Sequence, residues 1–360
     1  MTLHLAVALE GAGWHPAAWR EPDARPKELF TARYWTDLVR EAEDGLLDLV
    51  TFEDSFGLQS TDTTRVSGRL DATLIAAAVA PRTRRIGLVP TVITTHTEPF
   101  HIAKAIATID YASLGRAGVR VRVDPHHTEH VGRRPALEVD DLLDEAAEYV
   151  EVVRRLWDSW EDDAEIRDAA TGRFVDRDKL HYIDFAGRWF SVKGPSITPR
   201  PPQGQPPVFA LAHAAPVHRF AERTADVVFV TPRDADDAAA ITAQISGVPH
   251  VFGDLTVFLD GADRLARLND RAEFTTDTAV FTGTPAELAD LLLTWQEKGL
   301  TGFRLRPGTL PHDLTAITRG LVPELRKRGV FRRTYEDGTL RDRLGLPRPA
   351  NRYAATQGAR

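Results

Sequence analysis

Polar and ionisable residues directly follow two apolar segments of the chain, and they are the first candidates for chemistry. The apolar run at residues 86–93 ends in Thr94, Thr95, His96, Thr97 and Glu98, and the run at 47–52 ends in Glu53, Asp54 and Ser55. Strands buried on both faces of a parallel sheet are apolar throughout, and ligands usually bind just beyond their carboxyl ends. The sequence therefore predicts one functional site that combines these two segments.

The segments around these residues alternate between strand and helix patterns. Strands are predicted at residues 3–9, 47–52, 86–93, 117–123, 207–211, 226–230, 251–259 and 302–306, and helices at 34–43, 69–80, 99–112, 217–223, 235–245, 284–299 and 314–326. Eight strands that alternate with helices favour an α/β fold, a closed (β/α)8 TIM barrel. An open doubly wound sheet is the alternative, but Gly11-Ala-Gly13 is not followed by the third glycine of a dinucleotide fingerprint.

Residues 1–330 are predicted to form a single barrel domain, because a minimal barrel needs ~250 residues. An insertion is expected after the fourth strand, at about residues 124–206. It contains a helix whose apolar stripe has the 3.6-residue period, a predicted hairpin at 181–192 turned at Ala186-Gly187, and a proline-rich linker. Residues 331–360 form a basic C-terminal tail.

Composition excludes several classes of protein. The 360 residues are 42% hydrophobic and 27% charged, as in a globular protein, and the chain has no cysteine, which rules out disulfides, thiolate metal sites and a cysteine nucleophile. The net charge of −7 argues against a general nucleic-acid binder. Residues 326–360 carry ten basic residues against three acidic ones. We interpret this segment as a tail on an acidic surface of the same chain or of a second subunit, with nucleic-acid or membrane contact as the alternative.

The protein is expected to be cytoplasmic. Residues 1–10 contain a short apolar run without the basic lead-in and cleavage pattern of a signal peptide, so they suit a first strand better. No apolar segment approaches the ~18 residues of a membrane-spanning helix.

Each candidate residue also has an ordinary structural explanation. Asp54 can cap a helix, and His96 can hold its loop by hydrogen bonds. His126, His127 and His130 lie between Pro125 and Pro135 without the spacing of a helical zinc motif, so no metal site is expected. The chain has no Gly-x-Ser-x-Gly elbow and no phosphate-binding Gly-x-x-x-x-Gly-Lys loop, which disfavours hydrolases and kinases.

Six stretches, in order, resemble the bacterial-luciferase-like flavin-dependent monooxygenases. The resemblance is to the branch of nitrilotriacetate, pristinamycin and dibenzothiophene-sulfone monooxygenases, and it covers about 200 residues. The stretches are residues 14–20 (WHPAAWR), 48–54 (DLVTFED), 85–100, 114–118 (LGRAG), 156–160 (LWDSW) and 185–207.

The resemblance implies a function and a set of site residues. Members of the family form (β/α)8 barrels, usually dimers or larger, that bind reduced FMN from a separate flavin reductase and use O2 to oxygenate a small organic substrate. By position, Asp54 matches the family's acidic residue near the flavin ring, and Thr91, Thr95 and His96 match the loop that lies against this ring. The resemblance thus implies that His96 and Asp54 are catalytic.

The chain departs from the family at positions that matter for the cofactor. Gly118-Val119-Arg120 replaces the family's Gly-Trp-Asn, and the His126 to Arg134 loop replaces its Asn-Phe-Gly and His-x-Arg-Tyr. The phosphate-holding Ala-Gly-x-Ser-x-x-Gly loop is replaced by residues 211–217 (LAHAAPV), which lack both glycines and the serine. Pro216 also has no N–H to offer to a phosphate. We therefore hypothesise that Arg120, His213 or Arg133 supplies the missing positive charge.

The sequence leaves three functions open. The first is an FMN-dependent monooxygenase, with Asp54, Thr91, Thr95, His96, Arg120 and His213 at the cofactor. The second is a non-catalytic luciferase-like subunit that has lost flavin binding. The third is an oxidoreductase that transfers hydride with the deazaflavin F420.

Overall fold

Eight parallel strands close into a barrel in the computed structural model, which describes residues 3–58, 60–131, 137–213 and 215–354. Each strand pairs in parallel with its successor, and the last pairs with the first, where Val7 lies opposite Leu305. The strands are β1 (His4–Leu9), β2 (Leu49–Phe52), β3 (Gly87–Ile93), β4 (Val119–Arg122), β5 (Val208–Leu211), β6 (Val227–Val230), β7 (His250–Leu259) and β8 (Gly302–Pro307). The predicted TIM barrel is confirmed.

Helices cover the outside of the barrel. They are α1 (Ala32–Asp44), α2 (Ala72–Val79), α3 (Pro99–Ser113), α4 (Val139–Asp158), α5 (Ala215–Thr224), α6 (Ala235–Gln244), α7 (Ala262–Asn269) and α8 (Pro285–Gln296), followed by a closing helix in three segments, His312–Ala316, a π turn Ile317–Leu321, and Val322–Lys327. The amphipathic helix α4 packs between α3 and α5, and the Nε1 of Trp157 donates to the carbonyl of Ala103 at 2.9 Å. Helix α4 thus takes its place in the outer ring, between β4 and β5.

Side chains at the helix starts fix where the helices begin. Thr284 and Glu287 form a reciprocal capping box at α8, as the sequence Thr-Pro-Ala-Glu indicates. Helix α2 has two carboxylates at its start: Asp71 accepts from the N–H of Leu74 at 2.8 Å, and Asp54 accepts from the N–H of Ala72 at 3.0 Å. Asp54 thereby ties the end of β2 to the start of α2.

Some elements were not predicted from the sequence. They are α7, a strand Val280–Gly283 that adds beside β7, and a hairpin of Glu165–Asp168 with Arg173–Val175. Helix α7 depends on distant partners, because its Leu268 packs with Ala17 and Phe258. The predicted second hairpin exists as Phe185–Ala186 paired with Ser191–Val192, with its turn over residues 187–190.

The amino-terminal end of the barrel is filled by apolar side chains, three of which come from the C-terminal tail. Leu340, Leu344 and Leu346 are buried in one cluster with interior side chains of the barrel strands, namely Ala6, Leu49, Val89, Phe209, Val227, Phe229 and Phe252. Residues 340–346 therefore plug the bottom of the barrel.

The arginines of the tail pair with acidic residues of the same chain. Arg332 contacts Asp48 at 2.5 Å, and Arg341 contacts Asp226 at 3.0 Å. Farther along the tail, Arg348 pairs with Asp162 at 2.6 Å. This agrees with the predicted docking on an acidic surface, whereas the insertion of leucines into the barrel was not foreseen.

Candidate active site

Charged side chains occupy the carboxyl-terminal half of the barrel interior, above the apolar layer. Glu53 follows the end of β2, Arg120 lies in β4, Asp254 in β7, and Arg304 and Arg306 in β8, and each is less than 9% exposed. Side chains alternate between the two faces of a strand, so residues two apart, such as Arg304 and Arg306, point to the same side, here the interior. The mouth of this barrel thus has a floor of buried ions.

Glu53 is the centre of the first half of this floor. Its carboxylate accepts from Nη1 of Arg120 and, at 3.2 Å, from Nη1 of Arg304. The same Nη1 of Arg120 donates to the hydroxyl of Thr91 at 3.1 Å. Burial by itself would raise the pKa of Glu53, but the nearby Arg120, Arg304 and Arg306 lower it to about 2. Glu53 is therefore an anion at neutral pH.

Asp254 is the centre of the second half. It accepts from Nε of Arg304 at 2.8 Å and from Nη2 of Arg306 at 2.5 Å. Arg306 also pairs with Asp277 at 2.5 Å, and its guanidinium lies 4.4 Å from the centre of the Trp14 ring. Carboxylates thus neutralise both arginines, and each guanidinium also lies on an aromatic face, Arg304 on Phe229 at 4.0 Å and Arg306 on Trp14.

Loops after β2, β3 and β4 meet on one side of the mouth. Thr95 accepts from the N–H of Asp124 at 2.9 Å, and the carboxylate of Asp124 accepts from Nδ1 of His127 at 2.8 Å. The ring of His96 lies 6.1 Å from that of Phe56. These contacts define the β2–β4 rim, which consists of residues 54–57, 94–97 and 122–130.

The structure brings most of the predicted site residues to this side of the barrel. Thr91 lies in the buried floor, and Thr95 and His96 lie on the rim. Asp54 is also on the rim, but its carboxylate accepts from the backbone N–H groups of Ser55 and Ala72, and burial raises its pKa. Its position fits the predicted site, and its hydrogen bonds also fulfil the alternative, helix-capping role.

The surroundings of Arg120 bear on the hypothesis that it replaces the family's phosphate loop. Arg120 is 4% exposed, and its guanidinium is bound to Glu53 and Thr91 below the mouth. Burial lowers its pKa to about 10, with Glu53 opposing the shift, so it stays protonated at neutral pH. Its burial and its pairing with Glu53 argue against a phosphate at this guanidinium, and the role of Arg120 at the cofactor stays a prediction. Arg133, the third residue of that hypothesis, lies outside the described residues.

His213 lies apart from the rim, in a cleft beyond the ends of β5 and β6. The cleft has a volume of about 510 Å³, and its lining includes the basic residues His213, His218 and Arg233. Arg233 is largely exposed and contacts Asp237 at 3.3 Å. Burial lowers the pKa of His218, which therefore stays neutral at pH 7. The cleft is within the size range of small-ligand sites.

Sequence reasoning missed Asp254, Arg304 and Arg306. A usable signal exists in the Gly302-Phe-Arg-Leu-Arg306 segment, where arginines alternate with apolar residues. In a barrel strand, such alternation places both arginines on one face. The sequence does not indicate that this face is the interior one. The structure does, because Glu53 and Asp254 contact the two arginines inside the barrel.

Neither a cluster of metal ligands nor a membrane-spanning helix occurs in the described part of the chain. Within ranges 3–58, 60–131, 137–213 and 215–354, no three ligating side chains converge as they would around a metal ion. None of the helices in these ranges is long and apolar enough to cross a membrane.

A (β/α)8 barrel with polar residues at the carboxyl ends of its strands defines an enzyme-like scaffold, and similarity to known proteins gives its class. The family model "Luciferase-like monooxygenase" matches residues 11–248, more than half of the chain. The chain belongs to the luciferase-like monooxygenase family. The monooxygenase class expected from the sequence is thus confirmed.

Curated relatives match over nearly the whole chain. N-acetyl-S-(2-succino)cysteine monooxygenase of Bacillus subtilis is 31% identical over 433 positions that cover 98% of each chain. Nitrilotriacetate monooxygenase component A of Aminobacter aminovorans is 30% identical, also with 98% of each chain covered. A pristinamycin IIA synthase subunit of Streptomyces pristinaespiralis is 31% identical over 322 positions, covering 89% of this chain and 91% of the relative.

Solved structures share the fold. Long-chain alkane monooxygenase superposes with a TM-score of 0.87 at 23% identity and 99% coverage of both chains. Riboflavin lyase with modified FMN and riboflavin gives 0.86 at 25% identity and 97% coverage of both chains. An F420-dependent secondary alcohol dehydrogenase gives 0.65 at 15% identity, covering 91% of this chain and all of the other, which shows likeness of fold alone.

The residues of the mouth can be tested against the flavin that the family implies. The cleft beyond β5 and β6 offers Arg233 and the imidazole of His213 to a phosphate, in place of the missing glycine loop. Pro216, at the second position of α5, has no N–H to add to them. A phosphate there would be held by side chains instead of by backbone N–H groups, in a lining that also contains Asp237 and Asp277.

Proposed function

We propose that this chain is the oxygenating component of a two-component system, which uses reduced FMN from a separate reductase and O2 to oxygenate a small organic substrate. The observation that carries the proposal is the mouth of this barrel, which belongs to the luciferase-like monooxygenase family. Polar side chains line the mouth, and a cleft whose lining includes basic residues lies beyond β5 and β6. When bound, reduced FMN supplies the electrons that activate O2. We also propose a homodimer or larger assembly in the cytoplasm, by analogy with the family.

The residues divide into two groups in this proposal. His213 and Arg233 bind the phosphate in the cleft. Thr91, Thr95, His96 and Asp54 lie toward the flavin ring, and His96 and Asp54 are the proposed catalytic residues. Arg120 acts on the same side through its hydrogen bond to Thr91, as part of the floor that fixes the shape of the mouth.

The proposal is tested by titrating the protein with FMN and with riboflavin, followed by flavin fluorescence. We expect FMN to bind, and an Arg233→Gln variant to bind FMN about tenfold more weakly, because a charge-assisted hydrogen bond contributes about 1.5–3 kcal/mol. Riboflavin has no phosphate, so its affinity should not change. Arg319→Gln, which removes an exposed charge that is paired with Glu41, is the matched control.

A second candidate function is a non-catalytic subunit beside an active relative. Two observations favour it: the buried Glu53–Arg120 pair in the barrel, and the alignment with the pristinamycin IIA synthase subunit. The 322 positions matched with that subunit cover 89% of this chain and so open few gaps in it, whereas the 433 positions matched with the Bacillus relative exceed the 360 residues of this chain, so that relative has segments that this chain lacks. Absence of binding of FMN and reduced FMN at tens of micromolar would favour this second function, and binding of F420 alone would favour the third.

A further inference from the structure

Arg122 lies at the mouth end of β4, two residues beyond Arg120. Because strand side chains alternate, Arg122 starts from the same inward face as Arg120, one layer closer to the mouth. Its Nη1 donates to the backbone carbonyl of Asp54 at 3.0 Å. Since β3 lies between β4 and β2, this side chain spans the mouth end of β3. Its guanidinium therefore lies on the β2–β4 rim, above the pair of Glu53 and Arg120.

Arg122 differs in its charge balance from five other arginines of the mouth. These five each have a carboxylate within 4.0 Å: Arg120 has Glu53, Arg304 and Arg306 share Asp254, Arg69 has Glu10, and Arg233 has Asp237. Arg20, in the loop after β1, also donates to a backbone carbonyl, but it is exposed to solvent. Among the described residues, Arg122 has no carboxylate at that distance, and a backbone carbonyl is its hydrogen-bond acceptor. The charge of Arg122 contributes to lowering the pKa of the neighbouring Asp124, but the carboxylate of Asp124 is paired with His127 at 2.8 Å.

A partly buried cation without a counter-ion is an unfavourable arrangement that an anionic ligand relieves. The planar guanidinium fork matches the two oxygens of a carboxylate, and such charge-assisted pairs are short and directional. We propose that Arg122 binds a carboxylate group of the substrate at the barrel mouth, so that the substrates of this protein are small organic acids. That such an acid is oxygenated rests on the proposed function, whereas its binding does not.

The phosphate of FMN is the other oxyanion that this guanidinium could meet. We assign the phosphate to the cleft because His213 and Arg233 line that cleft together, beyond β5 and β6, and Arg122 is on the rim formed by β2, β3 and β4. A substrate carboxylate and the FMN phosphate predict different binding properties for an Arg122 variant. A substrate site leaves the FMN affinity unchanged, and a phosphate site weakens FMN but not riboflavin.

The experiment uses calorimetric titration of the full chain with succinate, a dicarboxylate, and with succinamide, its uncharged analogue of nearly the same shape. We expect succinate to bind and succinamide to bind at least tenfold more weakly. Arg122→Gln keeps a donor for the Asp54 carbonyl but loses the charge, so succinate affinity should fall at least tenfold. Arg122→Lys should retain part of it. The exposed Arg319→Gln is the control for a general change of charge.

Equal affinities for succinate and succinamide, no binding of either, or full succinate affinity in Arg122→Gln would overturn the inference. So would a loss of FMN affinity in Arg122→Gln with riboflavin unaffected, because the cation would then belong to the phosphate. If the wild-type protein binds succinate through Arg122 but binds no flavin, the inference holds and the proposed function fails. The two ideas are thus separable in one set of titrations.

Discussion

At the scale of single residues, the mouth of the barrel is organised by buried ion pairs. Glu53 is 8% exposed and lies between Arg120 and Arg304, and Asp254 lies between Arg304 and Arg306. Removing one member of a buried pair leaves an uncompensated charge, which costs far more than an exposed pair contributes. The floor is therefore sensitive to single substitutions that change charge.

We expect Glu53→Gln to lower the free energy of unfolding by about 3–5 kcal/mol, because Arg120 loses its carboxylate. Urea unfolding followed by circular dichroism measures this difference. Glu273→Gln, a change of the same kind at an exposed position, should leave unfolding unchanged. A Glu53→Gln variant as stable as the wild type would show that the pair is not needed to hold the mouth.

At the scale of elements, the C-terminal tail completes the barrel from below. Leu340 is fully buried, and a side chain added at Gly87 would meet its methyl groups at 2.7 Å. We expect Leu340→Ala to destabilise the protein by about 2–5 kcal/mol, the usual cost of a cavity left by a buried leucine. Thermal unfolding of this variant, compared with Ile197→Ala at a position 68% exposed, gives the measurement. Equal stability of the two variants would mean that the plug is not needed.

At the scale of the whole molecule, three histidines in different parts of the barrel make stability depend on pH. Burial lowers the pKa of His15, His218 and His250 below the ordinary value of 6.5. At these three positions the unfolded chain binds more protons than the folded one once the pH falls below about 6.5, which favours unfolding. Asp110 opposes this effect, because burial raises its pKa to about 6 and the folded chain then takes up a proton there, but it is one group against three. Glu53 and Asp48, each with a pKa of about 2, add losses only in stronger acid, below their ordinary values near 4.

We expect the free energy of unfolding in urea to decrease steadily between pH 7 and pH 5. His250 joins the tail to the barrel, because its Nε2 donates to the carbonyl of Leu344 at 2.6 Å. A His250→Gln variant keeps a donor but cannot gain a proton, so its stability should change less over this range. Identical pH profiles for the two proteins would exclude His250 as a contributor.

Local patterns in the amino-acid sequence are enough to predict the architecture and the region of the site. Apolar runs such as residues 86–93 and the cap of Thr284, Pro285 and Glu287 indicate their elements locally, because strand burial and helix capping depend on neighbours in the chain. The order of elements then indicates the barrel, and the polar residues after β2 and β3 mark its mouth. Thr95 and His96 lie on that rim for this reason.

The partners of the buried charges and of the C-terminal tail depend on contacts between distant parts of the chain. The pairing of Arg304 with Asp254, the position of Arg120 below the mouth and the plug of Leu340, Leu344 and Leu346 join residues that are distant in the chain. An arginine inside the barrel needs a carboxylate partner to offset the cost of its burial, and the closed barrel brings that partner opposite it. The sequence lists the residues that carry charge, but the closure of the sheet selects their partners and leaves Arg122 without a carboxylate among the described residues.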